Sequence, residues 1–492
     1  MRTARAAPRA AMLIESMRDI GYTLESALAD VIDNAITAGA KNVELFADTN
    51  AVQPKLAIID DGFGMVEAEL LDAMRPGNRS PLDERAKDDL GRFGLGLKTA
   101  SFSQCRRVTV ISRKSGQTCC ARWDLDSVVE SDDWLVELPD EISDISWVDR
   151  LGDQGTLVLW EKLDRLAESE GSTLDEENLV RRVDEATQHL ELVFHRFLAG
   201  EPGLKRISMK LNNRKLEPFD PFHSSHDATI KGPEEKIRVK GHDVVVRAFT
   251  LPHHKKVSPS DWIKYEGRGG YLRNQGFYVY RAKRLIIHGT WFGLARQAEL
   301  TKLARVRIDM PNQLDADWKI DVKKASAQPP YRVRERLRAI IDTIGASSKR
   351  VYTSRGRRLA SDSRIPVWRR VQDKNEISYS VNPEHPVIVN FAARLPDELK
   401  RDFNRLIEMT SAAIPVDALF ADISGQPEKI AGAAISDDGL NHVIETTFRT
   451  LFEGGIAGND IIEMLRLAEP FRSNWEFTQQ HISSIRASME LP

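Results

Sequence analysis

"ALADVIDNAITAGA", residues 27–40, decides the fold. Leu24, Leu28, Val31, Ile32 and Ala35 recur at helical spacing, and Gly39 stands where a helix C′ residue is expected. Yet Asp30, Asp33 and Asn34 crowd the middle of this apolar pattern. Asp30 and Asn34, four positions apart, share one face. A carboxylate and an amide on one ridge of a core-packed helix need a polar object to hold.

Around that helix, strand-like and helix-like segments alternate. "KNVELFAD" (41–48), "KLAIIDDG" (55–62), "RVTVISRK" (107–114) and "GTLVLWEKL" (155–163) read as strands. Helical patterns run over 12–20, 24–38, 66–74 and 94–103, and residues 174–199 read as one long amphipathic helix closing a first domain. The mixture predicts an α/β or α+β fold without giving the strand order. In a second block, "ISMKLNNRKLEPFDPF" (207–222) carries a hairpin signal at Asn212-Asn213. "GFYVYRAKRLII" (276–287), "RVRIDMP" (305–311) and a helix over 332–345 complete a second α+β domain. "WKIDVK" (318–323) reads as a strand with Trp318, Ile320 and Val322 alternating inward. Residues 349–374 hold nine Lys/Arg against Asp362 and Asp373, and residues 375–492 are largely helical in pattern.

Composition narrows the function classes. At 492 residues, 41% hydrophobic and 29% charged, the chain reads as a soluble globular protein of several domains. A net charge of -3 offers no global attraction for a polyanion, so any nucleic-acid surface is local. Three cysteines without metal-ligand spacing predict a reducing, cytoplasmic setting. No apolar run approaches the ~20 residues that span a bilayer, and the opening "MRTARAAPRAAMLIE" reads as a short basic arm.

Three further stretches belong with the first. In "IIDDGFGM" (58–65) an apolar strand runs into Asp-Asp-Gly-Phe-Gly, where glycine lets the backbone approach a ligand closely. A carboxylate at that strand end can accept from an exocyclic amine such as adenine's. In "GRFGLGLKTAS" (91–101), Gly91, Gly94 and Gly96 precede a helix with Lys98 in its first turns, a phosphate-binding pattern. In "DQGTLVLW" (153–160), Thr156 offers a hydroxyl beside Gly155.

In this order and spacing the four stretches resemble the GHKL ATPases, the superfamily of gyrase, the ninety-kilodalton heat-shock chaperone, histidine kinases and MutL. "DVIDNAITAGA" is similar to that family's N box, "DDGFGM" to its G1 box, "GRFGLGLKTAS" to its G2 box, and Gly155-Thr156 to its last adenine-contacting motif. The likeness is greatest to the MORC branch, particularly bacterial members, through "LEPFDPF", "GFYVYRAKRLI" and "DWKIDVKKASAQPP", and covers residues 12 to about 350. It implies an α+β protein with a Bergerat-type α/β sandwich ATPase domain (1–200), a transducer domain (201–348), a basic linker (349–374) and a helical C-terminal region (375–492).

The resemblance also implies ATP and Mg²⁺ as cofactors. Asn34 would give an oxygen to the metal, and Asp30 would face the water that attacks the γ-phosphoryl group. Asp60 would read the adenine amine with Thr156 and a bridging water, beside Gly62, Gly64 and Met65. Gly91, Phe93, Gly94, Leu95, Gly96, Leu97 and Lys98 would hold the phosphates under a lid formed by residues 75–90. Lys324, with Lys323 second, would reach back from the transducer to sense the γ-phosphate. Partners so implied are an ATP-dependent homodimer, DNA through 349–374, proteins through 375–492, and no membrane. One departure stands out: the family usually has Glu where this chain has Asp30, shortening the side chain by about 1.5 Å. Slow hydrolysis is expected, and a binding module that does not hydrolyse is the main rival. A histidine kinase fits poorly, since no histidine precedes residue 188; a chaperone-like clamp would share the site.

Overall fold

The computed structural model describes residues 3–4, 8–49, 52–77, 90, 96–166, 176–321, 327–357, 365–372, 377–416, 418–419 and 435–488. Contacts divide the chain into two units, 1–345 and 346–492. Among the described residues no helix is long and apolar enough to cross a membrane.

In the first unit α1 (Ala10–Arg18) and α2 (Leu24–Thr37) precede β1 (Asn42–Asp48) and β2 (Lys55–Asp60), then α3 (Glu67–Met74) and α4 (Gly96–Phe102). The hairpin β3 (Arg107–Lys114) and β4 (Gln117–Asp124), α5 (Leu125–Ser131), β5 (Gly155–Glu161), α6 (Glu176–Val193) and α7 (His195–Ala199) follow. With β6 (Ser208–Leu211) and β7 (Arg214–Lys215) the strands form one sheet in the order β4-β3-β5-β2-β1-β6-β7, antiparallel except where β6 joins β1 in parallel. The central strands are apolar on both faces because both faces are covered. Leu24, Leu28 and Ala35 of α2 join Val183, Ala186 and Leu190 of α6 in the core on one side. On the other side Phe46, Ala57, Ile59, Leu157 and Leu159 lie under Ile142, Ile145 and Trp147, whose ring stacks on Phe46 at 5.6 Å. This is the expected sandwich.

Strands β6 and β7 turn at Asn212 and Asn213 with φ of 44° and 71°, the left-handed pair that a tight hairpin needs. Their sheet is the first one, which therefore extends past residue 200. The second sheet contains β8 (Ile230–Val239), β9 (His242–Thr250), β10 (Gly276–Arg281), β11 (Arg284–Thr290) and β12 (Ala304–Met310), ordered β11-β10-β12-β9-β8. Two short helices, α8 (Pro259–Glu266) and α9 (Gly270–Arg273), interrupt it, and α10 (Tyr331–Arg357) packs Val333, Leu337, Ile340 and Ile344 against Val246, Val306 and Ile308.

Three expectations are corrected. Residues 174–199 are not one helix: α6 ends at Val193, and Phe194, fully buried, breaks the run before α7. "WKIDVK" is not a strand in its described part. Trp318 sits in a turn, its amide bonded to the Leu314 carbonyl, and Lys319 at φ 48° breaks the extended path while Trp318 and Ile320 stay buried. Residues 349–374 are not simply a linker. The single Gly345 does not stop α10, since one glycine costs only about 1 kcal/mol, and Trp368–Gln372 pairs antiparallel with Ile377–Val381.

The second unit, described by itself, contains that hairpin and helices over Pro386–Arg394, Asp397–Ala412, Asp437–Glu453, Gly458–Leu467 and Trp475–Ser488. Its core gathers Leu440, Ile444, Phe448, Ile461, Leu465, Phe471 and Ile482.

Candidate functional site

Helix α2 is locked at its start. Thr23 Oγ1 accepts from the Ser26 amide while the Thr23 amide donates to Ser26 Oγ at 3.0 Å, a reciprocal cap that fixes where each later side chain points. At its other end Gly39, with φ of 73°, takes the left-handed C′ position. Asp30 is buried at 4% exposure, whereas Asn34, one turn on, is exposed. Asp33, 1% exposed, serves a different purpose: it accepts from Arg284 Nε of β11 at 3.3 Å. Tyr22 Oη donates to Asp30 Oδ2 at 2.8 Å. A Cβ built on Gly96 would lie 3.6 Å from that same oxygen, so the first residue of α4 stands over Asp30.

The two carboxylates ending β2 go separate ways. Asp61 accepts from the Lys41 and Asn42 amides at 2.6 and 2.9 Å and from Asn42 Nδ2 at 2.7 Å. Burial acts upward on its pKa, but these donors outweigh it and hold the carboxyl below the usual range. Asp61 thus fastens β2 to the start of β1. Asp60 is buried beside Thr156, its cross-strand partner in β5, and Oδ1 accepts from the Gly62 amide at 2.8 Å. Burial pushes its carboxyl up to about 6, the Asp61 charge adding to the effect and the Gly62 and Thr156 amides opposing it.

Glycine is required here for space. A Cβ on Gly62 would sit 2.7 Å from Asp60 Oδ1 and 2.8 Å from the Ala38 Cβ. On Gly64, at φ 63°, it would lie 2.1 Å from the Arg113 carbonyl oxygen, and on Gly155, at φ 132°, 2.0 Å from that of Asp60. Ser112 ties these turns together. Its hydroxyl accepts from the Met65 amide at 2.8 Å, lies 2.9 Å from Thr156 Oγ1 and donates to the Gly155 carbonyl at 3.1 Å.

Gly96, Leu97 and Lys98 open α4. Lys98 is buried and donates to the Ala73 carbonyl at 2.9 Å, at the end of α3. Burial lowers its pKa to about 8, with Asp72 opposing. Gly91, Phe93, Gly94 and Leu95, most of the expected lid (78–89), and both Lys323 and Lys324 lie outside the described residues. Asp321, just before the two lysines' segment, acts electrostatically on Tyr22. Leu90, 1% exposed, is gripped at both ends. Its amide reaches Thr37 Oγ1 at 3.4 Å, and its carbonyl accepts from Arg281 Nη1 at 2.9 Å. Arg281, from β10, also grips Asp315 with both Nε and Nη2.

The structure therefore brings Asp30 and Gly96 together, and Asp60, Gly62, Gly64, Met65 and Thr156 together through Ser112. Asn34 stays exposed on the helix between. Sequence reasoning missed Tyr22, Ser112, Arg281 and Arg284. The only signal for Ser112 was its hydroxyl next to the apolar run Val110-Ile111 of a strand; Arg281 and Arg284 were marked by flanking a two-residue hairpin turn. Among the described residues no group of three or more His, Cys, Asp or Glu side chains is gathered to hold a metal ion.

Residues 22–155 match the family model described as histidine kinase-, DNA gyrase B-, and HSP90-like ATPase. The chain is similar to ATPase morc-1 of Caenorhabditis elegans, 35% identical over 92 residues, which are 18% of this chain and 10% of that protein. It is also similar to DNA mismatch repair protein MutL of Rhodopseudomonas palustris (strain HaA2), 31% identical over 93 residues, 19% of this chain and 15% of that one. Human MORC family CW-type zinc finger protein 1 is 30% identical over 133 residues, 25% of this chain and 13% of that one. The chain thus spans no more than 15% of the length of each of these curated relatives.

Proposed function

We propose, from the premise that residues 22–155 are a GHKL-type ATPase domain, that the chain binds Mg-ATP between α2, the end of β2 and the start of α4 and hydrolyses it slowly. The reading is supported by an exposed amide (Asn34) and a tethered carboxylate (Asp30) one turn apart on α2, whose end at Ala38 crowds Gly62 in the glycine turn that follows a second buried carboxylate (Asp60). Asp60 accepts the adenine amine, helped by Thr156, with Gly62, Gly64 and Met65 forming the wall of the base pocket. The amides of Gly96 and Leu97, together with Gly91, Phe93, Gly94 and Leu95, receive the phosphates, and Lys98 supports that turn. Mg²⁺ neutralises phosphate charge when bound, and Asn34 offers it a hard oxygen of the kind it prefers. Asp30 orients and deprotonates the attacking water.

Lys324 senses the γ-phosphate, so that ATP favours a closed homodimer only through contacts absent without it. The action on DNA, through 349–374, and on protein partners, through 375–492, is part of the same proposal; similarity to a DNA mismatch repair protein supports the DNA part. The shorter acid at position 30 favours a second reading, a nucleotide-dependent module that binds without turnover. Titration calorimetry with ATP, ADP and GTP, with and without magnesium, tests the main one. Magnesium-dependent preference for adenine nucleotides is expected, and no such preference overturns both readings. Phosphate release under saturating ATP separates them.

A further inference from the structure

We propose that Tyr22 is a positioning residue for hydrolysis: its phenol fixes one oxygen of Asp30 from outside the helix that carries it, and Thr99 of α4 sets the phenol in turn. The inference rests on the reading of Asp30 as the group that faces the attacking water. Tyr22 precedes the Thr23 cap of α2 and is 8% exposed. Its hydroxyl donates to Asp30 Oδ2 at 2.8 Å, and the fully buried Thr99 side chain hydrogen-bonds to that hydroxyl. The backbone beneath it is held as well, since Gln104 Nε2 donates to the Tyr22 carbonyl at 3.3 Å.

Burial, with the Asp30 charge beside it, keeps the phenol protonated, so it acts as a donor. A carboxylate on a single short stem can rotate about its bonds. A donor anchored on a neighbouring element removes that freedom, and errors on the order of 1 Å at such a group cost about a hundredfold in rate. The bland alternative is a phenol that merely finds an acceptor in the core. The two differ in what removal of the hydroxyl does.

In the full chain, Tyr22→Phe keeps the ring and deletes the donor. We expect kcat for ATP to fall about tenfold with KM within about twofold, and Thr99→Val to lose less in the same direction. In an Asp30→Asn background Tyr22→Phe is expected to change residual turnover no further, because the group it positions is gone. Unchanged kcat in Tyr22→Phe, a loss confined to KM, or an undiminished effect in the Asp30→Asn background each overturns the proposal. If Tyr22→Phe lowers the melting temperature appreciably, Thr99→Val decides by the same kcat criterion. Wild-type protein that binds Mg-ATP and never releases phosphate overturns the hydrolysis reading itself, an outcome distinct from turnover that ignores Tyr22.

Discussion

Arg284 of β11 donates to Asp33 of α2 at 3.3 Å while its guanidinium lies 5.5 Å from the centre of the Phe194 ring. Both charges are essentially buried, at 6% and 1% side-chain exposure. One contact therefore joins the second sheet to the helix that carries Asp30 and Asn34. Removing a partner from a buried pair leaves the other charge uncompensated. Asp33→Ala is expected to destabilise the fold by about 3 kcal/mol, read from the urea midpoint; a loss under about 1 kcal/mol would show the pair to be incidental.

Asn34, exposed on the same helix, carries the opposite expectation. Asn34→Ala should change stability by no more than about 0.5 kcal/mol and remove the magnesium-dependent part of ATP binding. Calorimetry with and without magnesium checks this, and micromolar Mg-ATP affinity in the variant would refute the metal role.

Asp60 sets a pH dependence. Its folded carboxyl titrates near 6, above the unfolded value of about 3.9, so the folded state binds the extra proton. Its contribution is fully present below about pH 4 and is lost as pH rises through about 6, for a total on the order of 3 kcal/mol. Urea unfolding of wild type and Asp60→Asn between pH 4 and 8 should differ by a slope that the variant lacks. Parallel curves would show that the carboxyl is not perturbed.

Two glycines separate crowding from backbone strain alone. Gly64→Ala places a methyl 2.1 Å from the Arg113 carbonyl oxygen at a positive φ, whereas a Cβ on Gly39 meets nothing within 4 Å. Gly64→Ala is expected to cost more than about 2 kcal/mol and to abolish nucleotide binding; Gly39→Ala should cost about 1 kcal/mol and leave binding intact. Thermal melts with and without ATP distinguish them.

The DNA proposal is electrostatic. Neutralising Arg355, Arg357 and Arg358 should reduce the slope of log affinity against log salt by about 3. Fluorescence anisotropy on duplex DNA measures it, and full-length protein without affinity at low salt would end the proposal.

Local chemistry made α2 and its end at Gly39 legible in the sequence, since both depend on neighbours within a few positions. The Asn212-Asn213 turn was legible for the same reason. The break at Phe194 was not, because the apolar pattern runs through it; the ring is fully buried and lies against Arg284, 90 positions later. The resemblance singles out Asp60 from the "DD" of residues 60–61; the position of β1 adds that Asp61 binds the start of that strand, while Asp60 accepts from the Gly62 amide. The sequence places Lys98 in the first turns of a helix but not its packing, which buries the ammonium against the Ala73 carbonyl from α3. Tyr22 gave no signal, because its meaning lies in a contact eight positions along and nearly two turns into α2.

Leu90 is a mooring. With its amide tied to α2, its carbonyl tied to the second sheet and its side chain in the core, tension on the chain to one side of it is grounded in the protein body before it reaches the other. From this point the second sheet is one side chain away, through the guanidinium of Arg281.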